Sequence, residues 1–342
     1  MSIKLIAATI LTTTAVVFGL YMLQNNIETT SSEDLKAFHA FKQTYNKSYA
    51  SITENNFRLT VFKTNMNLIN DHQKDASASF TLAINEFADL TFDEFKSKYL
   101  MTNFKSMKMV TEDSCGSEMS ATDNIKEGSA VDWEAENVVQ KVKNQGQCGS
   151  CWAFSTIGSL ESAYAINNKT LPDLSEQELV DCSKSYGNQG CNGGLMNLGF
   201  KYIIEHGIHT ESEYSYRGVD GTCNAAKLPA AAHTAKDCVM VPANTDGLTA
   251  GLRRNPVSVA FYVSMMFQFY HGGVFDPYFC GGQPNHGVLA VGFDLDAKKP
   301  FYKVKNSWGS GWGEKGYFRI KIGTGKGTCD MAGSGASVYP VL

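Results

Sequence analysis

Nine cysteines, spread from Cys115 to Cys329, constrain this chain more than any other feature. The N-terminus MSIKLIAATILTTTAVVFGLYML carries one lysine, Lys4, ahead of an apolar run from Leu5 to Leu23 interrupted by Thr12, Thr13 and Thr14. That is the layout of a secretory signal, and the run is also about long enough for a membrane anchor. Residues 1–23 are therefore expected to be a signal peptide or signal anchor, with the rest of the chain in an oxidising lumen. Thiols there pair into a disulfide framework, and an odd count leaves one over. Two of the nine, Cys148 and Cys151, stand three positions apart in NQGQCGSCWAF, and the question is which of them reacts.

With 342 residues, 43% of them apolar, the chain can bury a substantial core in two or three compact units. Its formal charge of -4 is spread evenly: residues 1–126 hold 12 basic and 14 acidic side chains, residues 127–342 hold 18 and 20. No stretch is basic enough to attract nucleic acid or an anionic bilayer. Two sequons, at Asn46 and Asn168, fit a secretory route.

Hydrophobic period divides the remainder of the chain. Residues 31–100 read as three helices. Leu35, Phe38 and Tyr45 share a face behind a Ser31/Asp34 capping box. The next segment has Phe57, Val61 and Leu68 on one stripe and Phe62, Met66 and Ile69 on another, with Glu54 and Arg58 as an i,i+4 ion pair. Thr91 and Glu94 are spaced to cap the third helix. Periodicity disappears from Met101 to Ala130, as in a linker or extended segment. Beyond it, Ala153, Ile157, Leu160 and Tyr164 predict an amphipathic helix beginning near Ser150 or Cys151. In the last third, residues 257–263, 286–295, 300–308 and 316–323 read as strands. Helices precede strands, so the body is α+β.

A helix N-terminus stabilises a thiolate, since its unpaired N–H groups and aligned peptide dipoles favour negative charge. Cys151 holds that position, whereas Cys148 precedes the helix. Cysteine nucleophiles also need a base and a group that orients it. His286 opens the strand at NHGVLAVGF, followed by Gly287, which leaves room for another backbone. Asn306 ends the next strand, within reach of an imidazole across a β-meander.

QGQCGSCWAF, CNGG, NHGV and NSWGSGWGEKGY together resemble the papain family of cysteine peptidases, most closely the cathepsin L type, from about Asp132 to the C-terminus. Residues 31–100 resemble that group's inhibitory propeptide. Glu54, Arg58, Phe62, Asn65 and Ile69 match its helical signature, with Gln73 where asparagine is usual. Asn85, Phe87 and Asp89 fit its short second motif, with Ala83 where many members have glycine. The resemblance implies a papain-like two-lobed fold, with a helical left lobe and a β-barrel-like right lobe, preceded by a small helical propeptide domain. It divides the chain into a propeptide at 24–126 and a mature peptidase at 127–342, with residues near 101–115 running through the cleft in a non-productive direction.

By the same resemblance Cys151 is the nucleophile, His286 the proton shuttle and Asn306 its orienting group. Gln145 and the backbone N–H of Cys151 receive the oxyanion, and Trp308 covers the contact between His286 and Asn306. Cys151 and His286 should rest as a thiolate–imidazolium pair. The implied disulfides are Cys148–Cys191, Cys182–Cys223 and Cys280–Cys329; Cys238 is expected to be a buried, inert thiol, and Cys115 lies in the removed segment. Gly193 and Gly194 would let a substrate backbone lie alongside the cleft. Leu195, Met196, Ala260, Pro284 and Ala336 match the S2 pocket, and the uncharged Ala336 favours a bulky apolar P2 residue. Asn285 replaces a frequent aspartate, a change that bears on the pH profile.

The implied protein is a cysteine endopeptidase made as a zymogen, acid-activated and lysosomal, vacuolar or secreted. It acts as a monomer on proteins and peptides without cofactor, metal or nucleic acid, is inhibited by its own propeptide, and is open to cystatin-like inhibitors. The propeptide carboxylates Glu54, Asp89 and Glu94 motivate the acid step. No insertion between Cys191 and His286 could block the cleft, which favours endopeptidase over exopeptidase action. CGSC lacks the βαβ context of a redox motif, no second CxxC or His pair suits zinc, and GSGWGEKG and GTGKGT lack the phosphate-loop context. The rival reading is a catalytically silent papain-fold binding protein, which would usually lack one of the catalytic groups.

Overall fold

The computed structural model describes residues 31–101, 104, 115–116, 119 and 126–342. The proposed leader and most of the segment from 102 to 125 lie outside them. The described residues divide into two compact units.

The first unit comprises residues 31–71 and 86–91. Helix α1 (Ser32–Thr44) starts at the expected capping box: Ser31 Oγ accepts from Asp34 N–H and Asp34 Oδ2 from Ser31 N–H, both at 3.1 Å. Helix α2 (Ile52–Gln73) carries the predicted Glu54–Arg58 pair at 3.8 Å. Phe38, Phe41, Val61, Phe62 and Ile69 are buried, whereas Leu35 and Phe57 are exposed, so the first stripe on α2 is buried at Val61 but open at Phe57. Polar groups fasten the 86–91 segment to α2. Asn65 Nδ2 donates to the carbonyls of Ala88 (2.9 Å) and Leu90 (3.0 Å), and Arg58 donates to that of Asp89 (3.0 Å). The buried Asp89 carboxylate accepts from Lys47 Nζ at 3.1 Å and Tyr49 Oη at 3.0 Å.

The second unit comprises residues 72–85 and the described residues from 92 on. Helix α3 (Phe92–Tyr99) precedes the aperiodic segment. Helix α4 (Cys151–Asn168) is the long helix of the body, followed by α5 (Glu176–Cys182) and α6 (Met196–His206). Helix α4 is not amphipathic as expected; it is buried on nearly every side. Its small polar residues are tolerated inside because each finds a carbonyl: Ser155 Oγ donates to Val288 and Ser159 Oγ to Pro256, both at 2.7 Å.

The strands are β1 (Phe80–Leu82), β2 (Ala130–Asp132), β3 (Asp237–Met240), β4 (Val257–Phe261), β5 (Tyr270–Phe275), β6 (His286–Asp294), β7 (Phe301–Lys305), β8 (Tyr317–Lys321) and β9 (Val338–Val341), with α7 (Thr245–Leu252) between β3 and β4. They pair in the order β1-β5-β8-β7-β6-β4-β9-β3, with β2 added on β6. The four strands expected from sequence are present as β4, β6, β7 and β8. Among the described residues the sheet follows an open path from β1 to β3.

Four disulfides are formed, and Cys151 is the one free cysteine. Cys148–Cys191, Cys182–Cys223 and Cys280–Cys329 pair as implied. Cys238 is not an inert thiol: it is bonded to Cys115, with Cα atoms 4.9 Å apart. Cys115 lies where no periodicity exists, so nothing in the pattern placed it beside β3. Gly116 permits the approach, because a Cβ there would come within 3.1 Å of Asp237 Oδ2.

Candidate active site

Helix α4 and strand β6 meet at Cys151, the first residue of α4 and fully buried. Gly287, second in β6, donates its N–H to Cys151 Sγ at 3.3 Å. Glycine eases the approach, since a Cβ would crowd Trp152 Cα at 3.1 Å and Trp152 N at 3.2 Å. The room expected from sequence at Gly287 is thus filled by the helix that carries the sulfur.

His286 opens β6 and Asn306 follows β7 directly, and they meet with His286 Nε2 2.8 Å from Asn306 Oδ1. Ser307 N–H also donates to Asn306 Oδ1 at 2.8 Å. An amide oxygen only accepts, so Nε2 carries the proton in this contact and Nδ1 is left as the basic nitrogen. Nδ1 is buried and without a hydrogen-bond partner. Trp308 stacks on the imidazole with centroids 4.6 Å apart and 26° between planes, the cover expected of it. On its other side Phe95 of α3 meets Trp308 edge-on at 5.1 Å.

Gln145 is fully buried and held at several points. Ser307 Oγ donates to its Oε1 at 2.6 Å, and its N–H donates to the Ser307 carbonyl at 2.8 Å. Its Nε2 donates to the Cys148 carbonyl and to the Tyr99 carbonyl, each at 2.9 Å. Tyr216 Oη donates to the Gln145 carbonyl at 2.7 Å and lies 2.6 Å from Ser150 Oγ, joining the Gln145 loop to the residue before Cys151. Ser307 and Tyr216 carry no signal in the sequence, because each acts through one hydroxyl outside any periodic pattern.

The chain leaving α3 covers this centre. After Tyr99 meets Gln145, Met101 N–H donates to the Asn285 carbonyl at 2.7 Å. Met101 and Phe104 belong to the buried apolar cluster that holds Cys151, Leu195, Met196, Ala260 and Ala336. Pro284 is buried beside Asn285. The Asn285 amide is committed to Val263, accepting from its N–H at 2.8 Å and donating to its carbonyl at 3.3 Å. Gly193 has φ 123°, and a Cβ on Gly194 would strike the Trp152 ring at 2.4 Å. The remaining expected positions between 102 and 115 lie largely outside the described residues.

Under this cover burial opposes both charges of the expected ion pair. Burial pushes the Cys151 thiol up to about 12, against the backbone N–H groups of Gly287 and Trp152 that lower it. Burial also brings His286 down to about 4, a shift the Asn306 bond only partly offsets. Both shifts favour the neutral forms, because excluding water penalises each charge.

Residues 128–339 match the papain family cysteine protease domain. The chain belongs to the papain family of cysteine proteases. Residues 38–95 match the cathepsin propeptide inhibitor domain, so this papain-family protease is a zymogen that carries its own intramolecular inhibitor. It is 38% identical to cathepsin L1 of Drosophila melanogaster over 99% of this chain and 94% of that protein. It is 41% identical to cysteine proteinase RD21A of Arabidopsis thaliana over 84% of this chain, and spans 62% of that protein's length. Its fold matches digestive procathepsin L 3 of Tenebrio molitor larval midgut at a TM-score of 0.79 and 35% identity, covering 91% of this chain and 100% of that one. The chain is a cysteine-type endopeptidase of the cathepsin L-like kind, and the silent-relative reading finds no support.

Proposed function

We propose that Cys151, His286, Asn306 and Gln145 form the catalytic machinery, that the chain is cut near residue 126 on activation, and that the pocket of Leu195, Met196, Ala260, Pro284 and Ala336 receives a bulky apolar P2 side chain. The observation that carries this is the bond from Gln145 Nε2 to the Tyr99 carbonyl. A peptide carbonyl already rests on a fixed donor beside the free cysteine, as a substrate carbonyl would.

Once the cover leaves, water relieves the burial penalty and Cys151 passes its proton to His286 Nδ1. The thiolate attacks the scissile carbonyl carbon, and the carbonyl electron pair moves to oxygen, where Gln145 Nε2–H and the Cys151 N–H receive it. Collapse expels the amine, which takes the proton from Nδ1, leaving a thioester on Cys151. Water, deprotonated by Nδ1, then attacks the thioester carbon, and the thiolate departs. Throughout, Asn306 holds the ring through Nε2.

Proteins and peptides are the substrates, with a monomer acting in a lysosome, an acidic vacuole or outside the cell, and cystatin-like proteins as further inhibitors. Acid release is proposed on the propeptide carboxylates, of which the buried Asp89 accepts from Lys47 Nζ and Tyr49 Oη. Among the described residues no helix is long and apolar enough to cross a membrane. The test is a thiol-directed peptidyl inhibitor with leucine at P2, applied to the acid-treated chain. Covalent labelling lost in Cys151→Ser supports the assignment; equal labelling of the variant, or none in the processed native chain, overturns it.

A further inference from the structure

We infer that the Cys115–Cys238 disulfide keeps part of the pro-segment covalently attached to the peptidase after the chain is cut, so that one cut at the pro/mature border does not release the inhibitor. The inference rests on the zymogen reading and concerns what activation must break.

Three observations carry it. Cys238 is fully buried in β3, and Cys115 is half-buried against the same apolar cluster that contains Met101, Phe104 and Cys151. Their Cα separation of 4.9 Å lies within the usual range for a bridge. The attachment is reinforced next door, where Gly116 N–H donates to Asp237 Oδ1 at 3.0 Å. Position along the chain then decides the outcome. The residues that cover the site, Tyr99 to Phe104, all precede Cys115, whereas the peptidase domain comes after it. A cut between Cys115 and the domain leaves the covering residues bonded through sulfur, at an effective concentration on the order of millimolar. Only a cut between Phe104 and Cys115 frees them. When both cuts are made, the product is a two-chain enzyme, with a short peptide containing Cys115 held on β3.

Retention of this peptide is a consequence of residue order and needs no redox step during activation. The full-length zymogen, processed at acid pH without reductant and quenched with N-ethylmaleimide, is weighed intact before and after reduction. The expected result is a peptidase chain that loses, on reduction, the mass of a peptide containing Cys115. Alkylation of Cys238 in the unreduced zymogen, or an unchanged mass on reduction together with no N-terminal extension through Cys115, overturns the inference. Peptide mapping of the whole chain reads the bridge even where no cut occurs, so a chain that stays intact at acid pH counts against the protease reading alone. In Cys115→Ser a single border cut should suffice, and the lag before activity should shorten several-fold. An equal lag in the native chain and the variant also overturns the proposal.

Discussion

Gln145 makes the most exacting demand of any side chain in the site. Its amide oxygen is held by Ser307 Oγ and its backbone carbonyl by Tyr216 Oη, so Nε2 can point only at the place where a carbonyl lies. Removing one fixed donor to an oxyanion typically costs about 10²–10³ in kcat. Gln145→Ala in the processed enzyme should fall by that much with little change in KM; a change confined to KM would move the residue out of the transition state. Protonation supplies the second residue-scale expectation. The covered thiol is pushed up to about 12 and is uncharged at pH 7, whereas exposure to water lets His286 accept its proton. Iodoacetamide at pH 7 should therefore modify Cys151 at least a hundredfold faster in the processed enzyme than in the zymogen, measured as loss of free thiol. The residues proposed as catalytic were legible because each sits in a short motif at the boundary of an element. Ser307 and Tyr216 were not, since one hydroxyl bonded to a neighbour leaves no pattern.

At the scale of elements, buried charge holds the helical part of the body together. Lys143 Nζ reaches Glu161 Oε1 of α4 at 3.2 Å and Glu176 Oε1 of α5 at 2.8 Å, with both carboxylates almost completely buried. Removing the cation strands them, a loss worth about 3–5 kcal/mol. Lys143→Met should lower the stability of the processed domain by that amount in urea unfolding. Near the end of α6, His209 presents both ring nitrogens to acceptors: Nδ1 to Glu178 Oε2 and Nε2 to the Pro229 carbonyl, each at 2.9 Å. Burial pulls its pKa down, but the Pro229 carbonyl and Glu178 more than offset this, and the net shift is upward from 6.5. A group whose folded pKa is raised stabilises fully below its unfolded value and loses that contribution as pH rises through the folded one. The native domain should thus be more stable than His209→Gln at pH 5, and the gap in Tm should narrow above pH 6.5; a gap independent of pH would remove the imidazolium from the account. Strands β4, β6, β7 and β8 were readable from their β-rich runs. Strand β5 contains Gly272 and Gly273, β9 contains Pro340 and β3 has only four residues, so the breakers and shortness that hide such strands hid these.

For the whole molecule, latency depends on α3 and the few residues after it. Phe95 is fully buried and packs edge-on against Trp308, and Tyr99 occupies the donor of Gln145. Truncating a buried Phe costs about 3–5 kcal/mol. Phe95→Ala should consequently give a full-length chain that hydrolyses a small peptide substrate before any cut, detected on a chain whose mass is unchanged. The odd cysteine count pointed correctly to one spare thiol, yet the fourth bridge was out of reach of sequence reasoning because Cys115 sits in an aperiodic stretch. The family resemblance named three of the bridges; only three-dimensional proximity could name the fourth.

Gly287 has a broader meaning for how such a protease is switched. With a backbone N–H resting on the sulfur and so little room at Gly287 that a Cβ would crowd the Trp152 backbone, helix and strand already meet in tight contact at the sulfur while the cover is in place. A machine assembled that tightly is built ready to fire. Its safety has to reside in a disposable piece of chain, and control passes to whatever decides when that piece is severed.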